Sequence, residues 1–314
     1  MHVLVTGGAG FIGANLVREA LEQGHEVCVI DNLSSGYIEN LQEVQHDIRF
    51  VEGDIRNADL LAQIVSGMDI IYHMAASVGN QRSIDNPYAD ADINLMGTIR
   101  ILEAARMAGV KKVVLASSAG ILGEPAELPV TEIHAKNPDS PYGVSKMAAE
   151  AMALVYEQIY ELPTVALRYF NAYGPLQRYD AYGNVIPIFA RRILRHEPLN
   201  IFGDGEQTRD FIHVADLVKV TLKAGTLDHA RGIYHIGSGQ AVSINQLVQL
   251  MEQIFYQEVR VRYLPPRPGD VRHSLAGISR AVTDLGYQVS YSLEEGLKDY
   301  RDWLLEEAFG ACGS

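Results

Sequence analysis

The first half of the chain alternates short apolar runs with segments of helical periodicity. The runs are nearly continuous and rich in β-branched residues, which is typical of strands buried on both faces of a parallel sheet. They are Val3–Val5, Val27–Ile30, Ile48–Val51, Ile70–Tyr72, Val113–Ala116 and residues 164–169. Amphipathic segments lie between them at Asn15–Gln23, Ala58–Ser66, Asn94–Ala108 and 143–160, and the first three end at a glycine. Repeated strand–helix–strand units predict an α/β fold with a doubly wound parallel sheet, the Rossmann arrangement.

The pattern changes after Phe170. Residues 171–184 are rich in Tyr, Gly, Asn and Pro, and they are predicted to form a long loop. Helices are predicted near 185–195, 243–256 and 293–307. We therefore expect a Rossmann domain over 1–170, extended by 207–235. Residues 171–206 and 236–314 are expected to form a smaller mixed α/β C-terminal lobe that closes over the carboxyl edge of the sheet and binds the substrate.

Composition narrows the function by exclusion. The chain has 314 residues, of which 47% are hydrophobic and 21% charged, as in ordinary globular proteins. Its net charge of −13 would repel nucleic-acid phosphates. No apolar run approaches the roughly 18 residues of a membrane helix, and the N-terminus lacks the layout of a signal peptide. The two cysteines, Cys28 and Cys312, suggest neither a disulfide framework nor a metal site, so we expect a cytoplasmic protein without a metal.

Glycines fill the turn between the first predicted strand and the first helix. The segment Gly7–Gly13 satisfies the dinucleotide fingerprint, in which glycines allow a tight turn and a close approach of backbone N–H groups to a pyrophosphate. The helix N-terminus adds partial positive charge. Asp31 ends the second strand, near the ~20-residue offset at which a carboxylate holds ribose hydroxyls. Because Asp31 would repel a 2′-phosphate and residues 32–37 contain no arginine, the sequence predicts NAD rather than NADP.

A tyrosine and a lysine lie at the start of the helix near 143–160, which Ser140 is placed to cap. Tyr142 and Lys146 are four residues apart and therefore share a helix face. An adjacent ammonium lowers a tyrosine pKa from its usual value of about 10. Ser118 follows the fifth strand, at the sheet edge where ligands bind in such folds. Together these residues predict a proton-transfer site, although a surface Tyr/Lys pair and a turn-capping serine are the alternatives for each taken alone.

These motifs resemble those of extended short-chain dehydrogenases/reductases, and more narrowly those of the UDP-glucose 4-epimerase group and its N-acetylhexosamine relatives. The resemblance rests on TGGAGFIG, on Ser118 with Tyr142-x-x-x-Lys146, and on RYFNAYGP and TRDFIHVADL, and it extends from Met1 to about Tyr287. It implies that Tyr142 removes the proton of the sugar 4-hydroxyl while NAD accepts the C4 hydride. The 4-keto sugar then turns over, and the hydride returns to its opposite face. Ser118 would hydrogen-bond the same oxygen, and Lys146 would hold the nicotinamide ribose.

The resemblance also implies a set of contacts with NAD and with a UDP-sugar. The cofactor residues are Gly7, Gly10, Phe11, Ile12 and Gly13 at the pyrophosphate, Asp31, Asn32, Ser35 and Gly36 at the adenosine ribose, Asp54 and Ile55 at the adenine, Met74, Ala75 and Ala76 in the middle, and Asn94, Tyr142, Lys146 and Phe170 near the nicotinamide. The substrate residues are Ser118, the sugar and uridine contacts Asn171, Asn184, Val185, Asn200 and Phe202, the diphosphate contacts Arg209 and Arg267, and the ribose contact Asp270. A homodimer packed through the helices near 94–108 and 143–160 is implied as well.

Two departures from the family pattern bear on the reaction. Relatives that dehydrate the sugar carry adjacent acids just after the catalytic hydroxyl residue, and decarboxylating relatives keep a glutamate there. This chain has Ala119 and Gly120 instead, so the resemblance favours epimerisation alone. Leu122 replaces an aromatic residue that is usual in the family, with no consequence that follows from the sequence.

The sugar is less narrowly defined. Ser274 stands where some family members carry a bulky tyrosine, and a small residue leaves room for a 2-acetamido group. We therefore expect UDP-GlcNAc and UDP-GalNAc to be accepted beside UDP-Glc and UDP-Gal. The alternative is UDP-glucuronate, because Arg178 aligns with an arginine that faces the carboxylate in glucuronate enzymes, although Asn171 follows the neutral-sugar pattern. A non-catalytic NAD-binding sensor and a net oxidoreductase that releases NADH are further interpretations.

Overall fold

The structure is a computed structural model that describes residues 1–179, 183–267 and 271–310, with side chains as far as residue 307. The strands are β1 (His2–Thr6), β2 (Glu26–Asp31), β3 (Ile48–Glu52), β4 (Ile70–His73), β5 (Lys112–Ser118), β6 (Thr164–Tyr169), β7 (Asn171–Tyr173), β8 (Leu199–Phe202), β9 (Thr208–Arg209), β10 (Phe211–His213), β11 (Gly232–Ile236), β12 (Val242–Ser243) and β13 (Val261–Leu264). The helices are α1 (Phe11–Glu22), α2 (Ala58–Ile64), α3 (Asn80–Asp85), α4 (Pro87–Ala91), α5 (Gly97–Ala108), α6 (Pro141–Tyr160), α7 (Val185–Leu194), α8 (Val214–Thr226), α9 (Ile244–Phe255), α10 (Ser279–Leu285) and α11 (Leu293–Gly310). Short 3₁₀ helices cover Ile38–Val44 and Ala119–Ile121, and a π-helical turn covers Asp92–Met96. In the part of the chain described, no helix is both long and apolar enough to cross a membrane.

Seven parallel strands form the central sheet in the order β11-β6-β5-β4-β1-β2-β3. One apolar core lies between this sheet and helices α1 and α8, where Leu16 and Leu217 are fully buried. A second core lies on the opposite face under α2, α5 and α6, with Leu61, Ile101 and Ala149 at its centre. Helices on both faces bury the strands on both sides, which explains their continuous apolar runs. The predicted doubly wound α/β fold is confirmed.

A smaller apolar core joins the elements that follow Phe170. It packs α7, α9 and α11 together through Phe189, Leu247, Met251 and Leu297. Three two-stranded ladders accompany it, β7 with β10, β8 with β13, and β9 with β12. Residues 214–236, which lie between β10 and β12 in the chain, return to the large sheet. Helix α8 covers one face of that sheet, and β11 is its seventh strand, beside β6.

The structure differs from the sequence analysis in two secondary-structure elements, one at 171–184 and one at the start of the helix near 94–108. The predicted loop at 171–184 contains the short strand β7, which forms because β10 supplies parallel hydrogen-bonding partners forty residues later in the chain. Residues 180–182 of that segment lie outside the described residues. The helix was predicted to begin at Asn94. In the structure, the π-helical turn Asp92–Met96 precedes α5, and the Asn94 side chain points inward from this turn to Asp90. Neither feature has a local periodic signal.

A buried network of charged groups connects β5, β6, β11 and α6. Glu150 and Arg168 are both fully buried, and the Arg168 guanidinium donates to the Glu150 carboxylate over 2.7 Å. The Ser117 hydroxyl of β5 donates to the same carboxylate, and Lys136 forms an ion pair with it at 2.9 Å. Arg168 also contacts the ring of His235 in β11 at 3.1 Å. This network ties the edge strand and helix α6 to the centre of the sheet, directly below the end of β5.

Arg168→Leu is expected to destabilise the protein by about 3–5 kcal/mol, because it leaves the buried Glu150 carboxylate with an incomplete set of partners. Urea unfolding followed by circular dichroism measures the change. The matched control is Lys298→Met, which breaks a solvent-exposed ion pair with Glu294 and should leave the unfolding midpoint unchanged within error. Equal midpoints for wild type and Arg168→Leu would contradict a stabilising role for the buried pair.

Candidate active site

The glycine turn is built by close contacts of the backbone. Gly7 has a φ of +68°, and a Cβ added there would lie 2.7 Å from the Cα of Ala75. A Cβ on Gly13 would overlap the carbonyl of Gly7, so α1 can pack against the turn only with glycine at both positions. Helix α1 begins after Gly10 without a side-chain cap. The N–H groups of its first turn, which includes Phe11 and Ile12, are therefore available to an anion.

Asp31 lies at the carboxyl end of β2, beside this turn. Its side chain is 8% exposed and accepts hydrogen bonds from the backbone N–H of Ala9, at 2.9 Å, and of Leu33, at 2.8 Å. Burial raises its pKa, and the two backbone donors oppose that rise. Gly36 approaches so closely that an added Cβ would lie 3.0 Å from the Asp31 carboxylate. Asp31 and Gly36 therefore line one edge of the glycine turn, and Ser35 lies between them in the same loop.

The residues predicted to contact adenine lie at the end of β3. Asn32 donates to the Asp54 carboxylate over 2.8 Å, which links the loop after β2 to the loop after β3. Arg56 pairs with the same carboxylate at 2.7 Å and holds the pKa of Asp54 well below its usual range. Ile55 is buried against Gly97. Arg56 is an addition to the predicted set, and it fixes the orientation of Asp54.

The segment Met74–Ala76 leaves β4 next to the glycine turn. The backbone N–H of Ala75 donates to the Thr6 hydroxyl over 3.2 Å. The ring of His73 lies between that hydroxyl, at 2.7 Å, and the hydroxyl of Thr98, at 3.0 Å. Burial lowers the pKa of His73 to about 3, so its ring is neutral. His73 thus satisfies local hydrogen bonds and links β4 to β1 and α5.

Ser118, Tyr142 and Lys146 come together because two glycines touch. Gly143, in the first turn of α6, lies so close to the carbonyl of Gly120 that an added Cβ would be 2.5 Å from that oxygen. The contact places the Tyr142 hydroxyl within hydrogen-bonding reach of the Ser118 side chain. The backbone N–H of Gly120 in turn donates to the Ser118 hydroxyl over 3.1 Å. The structure therefore brings Ser118 and Tyr142 together at the carboxyl edge of the sheet, with Lys146 one turn further along α6.

Burial dominates the electrostatics of this cluster. It raises the pKa of Tyr142, which the Ser118 hydrogen bond lowers and the charge of Asp90 raises further. Burial also lowers the pKa of Lys146 to about 8, against the opposing charges of Asp90 and Glu150. The sequence analysis expected a lysine-lowered tyrosine pKa. In the protein alone the pKa of Tyr142 is raised, chiefly by desolvation, so this expectation is not met there. Positive charge from a bound ligand would favour the ionised form of Tyr142.

The Asp90 carboxylate belongs to a buried polar cluster that the sequence analysis missed. The Ser145 hydroxyl donates to its Oδ2 over 2.5 Å, and the Asn94 amide donates to its Oδ1 over 3.0 Å. Asn94 also accepts from the backbone N–H of Ser77 at 2.8 Å. The position of Asp90 four residues before Asn94 is a signal that the sequence does contain, because a helix places the two side chains on one face.

Three of the predicted substrate residues are organised around Asp210. The backbone N–H of Asn171 donates to the Asp210 carbonyl over 3.0 Å, and Arg209 immediately precedes Asp210. The Asp210 carboxylate is fully buried and accepts from the backbone N–H of Ala276 at 3.0 Å, which positions the segment containing Ser274. Asp210 is therefore a structural centre that brings together residues far apart in sequence.

Asn184 and Val185 begin helix α7 beside this group. The Asn184 amide donates to the carbonyl of Ala172 over 3.4 Å, next to Asn171 in β7. The first turn of α7 is thereby held against the strand that carries a predicted sugar contact.

Two of the predicted substrate residues, the uridine contact Phe202 and the diphosphate contact Arg267, line a cavity of about 500 Å³ in the smaller lobe. Phe202 and Arg267 are both on its wall, and the Arg267 guanidinium lies 3.7 Å from the centre of the Phe202 ring. Asn200 is in the same strand, β8, two residues before Phe202. Asp270 lies outside the described residues. The described part of the chain contains no group of three or more His, Cys, Asp or Glu side chains that could hold a metal ion.

Leu122 and Phe170 pack together beside the catalytic cluster. Leu122 is 4% exposed and belongs to a small apolar cluster with Phe170, Val130 and Ala276. Phe170 also contacts the ring of His235 at 5.4 Å between ring centres. The replacement of the usual aromatic by Leu122 thus changes the packing of the apolar cluster that contains Phe170.

Arg178 makes its contacts away from the catalytic cluster. Its guanidinium lies 4.7 Å from the centre of the Tyr37 ring, 3.4 Å from the side chain of Asn40 and 3.1 Å from the Glu307 carboxylate. Asn40 donates to the carbonyl of Ala9 in the glycine turn, so this group is on the adenosine side of the molecule. A role for Arg178 opposite a sugar carboxylate would require it to leave these partners.

The sequence profile of the GDP-mannose 4,6 dehydratase family matches residues 4–300, nearly the whole chain. The chain belongs to this family. The match confirms the resemblance to the extended short-chain dehydrogenases/reductases. One relative is a UDP-glucose 4-epimerase of Mycolicibacterium smegmatis. It is 38% identical to this chain over 301 residues, which are 95% of this chain and 96% of the relative.

Three solved structures are similar to this family member over 98% of its length. The UDP-glucose 4-epimerase of Thermotoga maritima with UDP-glucose is 36% identical, has a TM-score of 0.94 and is covered over 100% of its chain. A UDP-N-acetylglucosamine 4-epimerase of Methanobrevibacter ruminantium M1, in complex with UDP-N-acetylmuramic acid, is 34% identical with a TM-score of 0.93, covered over 98%. The UDP-glucuronic acid 4-epimerase of Bacillus cereus, in complex with UDP-glucuronic acid and NAD, is 32% identical with a TM-score of 0.92, covered over 100%.

Proposed function

We propose that the protein is an NAD-dependent 4-epimerase of UDP-hexoses. The observation that carries the proposal is the meeting of Ser118, Tyr142 and Lys146 at the sheet edge, beside a turn built to receive a pyrophosphate. Similar proteins from three other organisms are named UDP-sugar 4-epimerases, and the structure of one of them contains NAD. A proton-transfer cluster next to a dinucleotide turn is the arrangement that reversible oxidation of a sugar hydroxyl requires.

The chain fits NAD at four places. The glycine turn and the uncapped start of α1 would hold the pyrophosphate, and the Asp31 carboxylate would accept the ribose hydroxyls. Asp54 and Ile55 would border the adenine, and Lys146 with Asn94 would border the nicotinamide ribose. Bound NAD would supply reversible oxidation at the sugar C4 and positive charge beside Tyr142. That charge is what the raised pKa of Tyr142 calls for.

The chain's own groups then handle the proton. The Tyr142 hydroxyl would exchange a proton with the sugar 4-hydroxyl, and Ser118 would hydrogen-bond the same sugar oxygen. Lys146, with its pKa near 8, would remain mostly protonated at neutral pH and would stabilise the ionised Tyr142. Because the keto sugar must turn over before reduction, the residues that hold the diphosphate, Arg209 and Arg267, would retain the substrate during that rotation.

Gly120 favours epimerisation over elimination. A Cβ at this position would lie 3.3 Å from the Ser118 hydroxyl and 3.6 Å from the Tyr142 ring, so an acid there would reach the reacting sugar. With glycine at 120 and alanine at 119, no carboxylate stands at this point of the site. The proposal therefore differs from the dehydration reaction for which the family is named.

Tyr142→Phe is expected to lower the kcat for interconversion of UDP-glucose and UDP-galactose by about 10²–10⁴-fold, because it removes the proton acceptor and keeps the ring. Turnover is followed by NMR of the sugar products and bound NAD by extraction from the purified protein. Tyr256→Phe, at an 87% exposed tyrosine, is the matched control and should retain full activity. Unchanged turnover in Tyr142→Phe would reject Tyr142 as the base. Absence of turnover in wild type would favour a sensor, and net NADH accumulation would favour an oxidoreductase.

For the sugar, we propose that N-acetylhexosamines are accepted along with neutral hexoses. The Asp210 residue binds the backbone N–H of Asn171 and that of Ala276, two residues after Ser274. A small residue at 274 would leave space for a 2-acetamido group. UDP-glucuronate remains the second candidate, supported by a glucuronate 4-epimerase among the similar structures. The contacts of Arg178 with Tyr37 and Glu307 argue against it, because they draw that guanidinium to the adenosine side.

Ser274→Tyr is expected to lower kcat/KM for UDP-GlcNAc by about tenfold or more, because the ring fills the space of the acetamido group, with a smaller effect on UDP-glucose. Both variants are assayed by NMR on UDP-glucose, UDP-GlcNAc and UDP-glucuronate. Ser274→Ala keeps the position small and serves as the control. A wild-type enzyme that epimerises UDP-glucose but not UDP-GlcNAc would contradict the proposed range.

We also propose a homodimer packed through α5 and α6. Both helices expose large apolar side chains to solvent, including Met107 at 74%, Ile159 at 62% and Val155 at 40%. The two helices are joined to each other by the Tyr156 hydroxyl, which donates to Glu103 over 2.6 Å. A pair of adjacent helices with a shared apolar face is suited to a four-helix contact with a second copy.

Ile159→Glu should convert the dimer to a monomer at micromolar concentration, because it places a charge in the apolar contact. Light scattering after size exclusion measures the mass. The control is Ile133→Glu, at a residue that is 94% exposed on the loop between β5 and α6. A wild-type protein of monomeric mass would overturn the proposed assembly.

A further inference from the structure

We propose that Asp90 is a positioning residue of this reaction, whose buried carboxylate aligns Ser145 and Asn94 behind the catalytic pair and controls the protonation of Tyr142 and Lys146. The inference rests on the proposed epimerase function. Asp90 lies in helix α4, outside every predicted set of catalytic, cofactor or substrate residues.

The geometry around Asp90 is that of a carboxylate held by donors. Its side chain is 1% exposed, and both oxygens are engaged, Oδ2 by the Ser145 hydroxyl at 2.5 Å and Oδ1 by the Asn94 amide at 3.0 Å. Short O–H···O contacts of this length are typical of an ionised acceptor. Within the described residues, no lysine or arginine forms an ion pair with it. Burial raises the pKa of Asp90, whereas the hydrogen bonds from Ser145 and Asn94 and the charge of Lys146 oppose that rise. The ionised Asp90 is thus a buried negative charge that two neutral donors stabilise.

Each donor connects Asp90 to the reacting groups. Ser145 precedes Lys146 and follows Tyr142 by three residues, so its hydrogen bond anchors the first turns of α6 on which both catalytic side chains stand. Asn94 connects Asp90 to the segment after β4. Its amide donates to the carbonyl of Ser77 at 3.0 Å and accepts from the Ser77 N–H. Asp90 therefore links α4, the π-helical turn and α6 into one rigid unit.

The charge of Asp90 acts on both catalytic groups in the same sense. It raises the pKa of Tyr142 and the pKa of Lys146, since a negative charge opposes the loss of a proton from either neighbour. Three other groups face the site. His73, from β4, is neutral. Ser118, from β5, is neutral and hydrogen-bonds Tyr142. Glu150, further along α6, is matched by ion pairs.

The partners of Glu150 distinguish it from Asp90. Its carboxylate pairs with Arg168 of β6 at 2.7 Å and with Lys136 of the β5–α6 loop at 2.9 Å. These cations offset its field at the catalytic pair. Asp90 has no such pairing, so it is the carboxylate whose removal changes the potential at Tyr142 and Lys146 most.

Asp90→Asn keeps the shape of the side chain, removes its charge and replaces one acceptor oxygen with an NH2 donor, which the Ser145 hydroxyl can accept. Because the negative charge is lost, the pKa values of Tyr142 and Lys146 should fall together. We expect the two limbs of the pH profile of kcat for UDP-glucose epimerisation to move toward acid by about one pH unit. At a pH on the alkaline limb this is a loss of about tenfold in turnover. Both limbs should move toward acid whichever of the two groups governs each limb, because loss of the Asp90 charge lowers the pKa of Tyr142 and that of Lys146. The titrations of such neighbouring groups are coupled, so each limb reports the pair.

A second readout does not depend on turnover. The ionisation of Tyr142 is followed by the ultraviolet difference absorbance of tyrosinate, measured as each protein minus its Tyr142→Phe counterpart. The tyrosinate should appear at lower pH in the Asp90→Asn background than in wild type, by a similar shift. Asp90→Ser, which removes the charge with a smaller side chain, provides the same comparison in a second background.

Two control variants separate charge from other effects. Asp85→Asn makes the same change at an exposed carboxylate in α3 that accepts only from Gln81, and it should leave both limbs in place. Ser145→Ala keeps the Asp90 carboxylate and its Asn94 donor but removes the short hydrogen bond, so it should lower turnover and move the limbs less than Asp90→Asn does.

The outcomes distinguish this inference from the proposed function. If wild type turns over no UDP-sugar, the epimerase proposal fails, and the tyrosinate titration still decides the effect of Asp90 on Tyr142. If wild type is active and Asp90→Asn lowers kcat while neither limb nor the tyrosinate titration moves, Asp90 is merely structural and the inference is overturned. A parallel acid shift of both readouts, absent in Asp85→Asn, supports it.

Discussion

The contact between Gly120 and Gly143 is the constraint on which the site depends. The first turn of α6 approaches the end of β5 so closely that a side chain on Gly143 would overlap the carbonyl oxygen of Gly120. This contact sets the distance between Ser118 and Tyr142 and thereby the direction in which the Tyr142 hydroxyl points. The same glycine removes the acid that elimination would need, so one backbone contact both assembles the proton-transfer group and limits its chemistry.

Close packing at this point buries charge, and the surrounding structure is organised to tolerate it. Lys146 and Tyr142 are desolvated, and each shifts toward its neutral form. The fold compensates with two carboxylates of different kinds. Glu150 is paired with cations and ties α6 to the sheet, whereas Asp90 is held by neutral donors and retains its field. The protein therefore fixes the two carboxylates around the catalytic pair before any ligand adds its own charge.

The two sides of the site are built by different means. The cofactor side depends on local backbone geometry, in which turns after β1, β2 and β3 lie side by side because parallel strands end at one edge. The substrate side depends on long-range contacts, with Asp210 connecting β7, the segment after β11 and the strand-like stretch near Ser274. Such a division lets the sugar pocket vary while the cofactor turn stays the same.

The sequence by itself determined the sheet, the helices that cover it and the glycine turn, because strand burial and helical periodicity are local patterns that survive in any tertiary context. Tyr142 and Lys146 were recognisable for the same reason, as a spacing on one helix. Tertiary structure alone decided β7, the edge strand β11, the hydrogen bond between Asp90 and Ser145, and the partners of Arg168 and Arg178. These features depend on pairing between segments distant in sequence and on desolvation, and neither quantity is written in the spacing of residues along the chain.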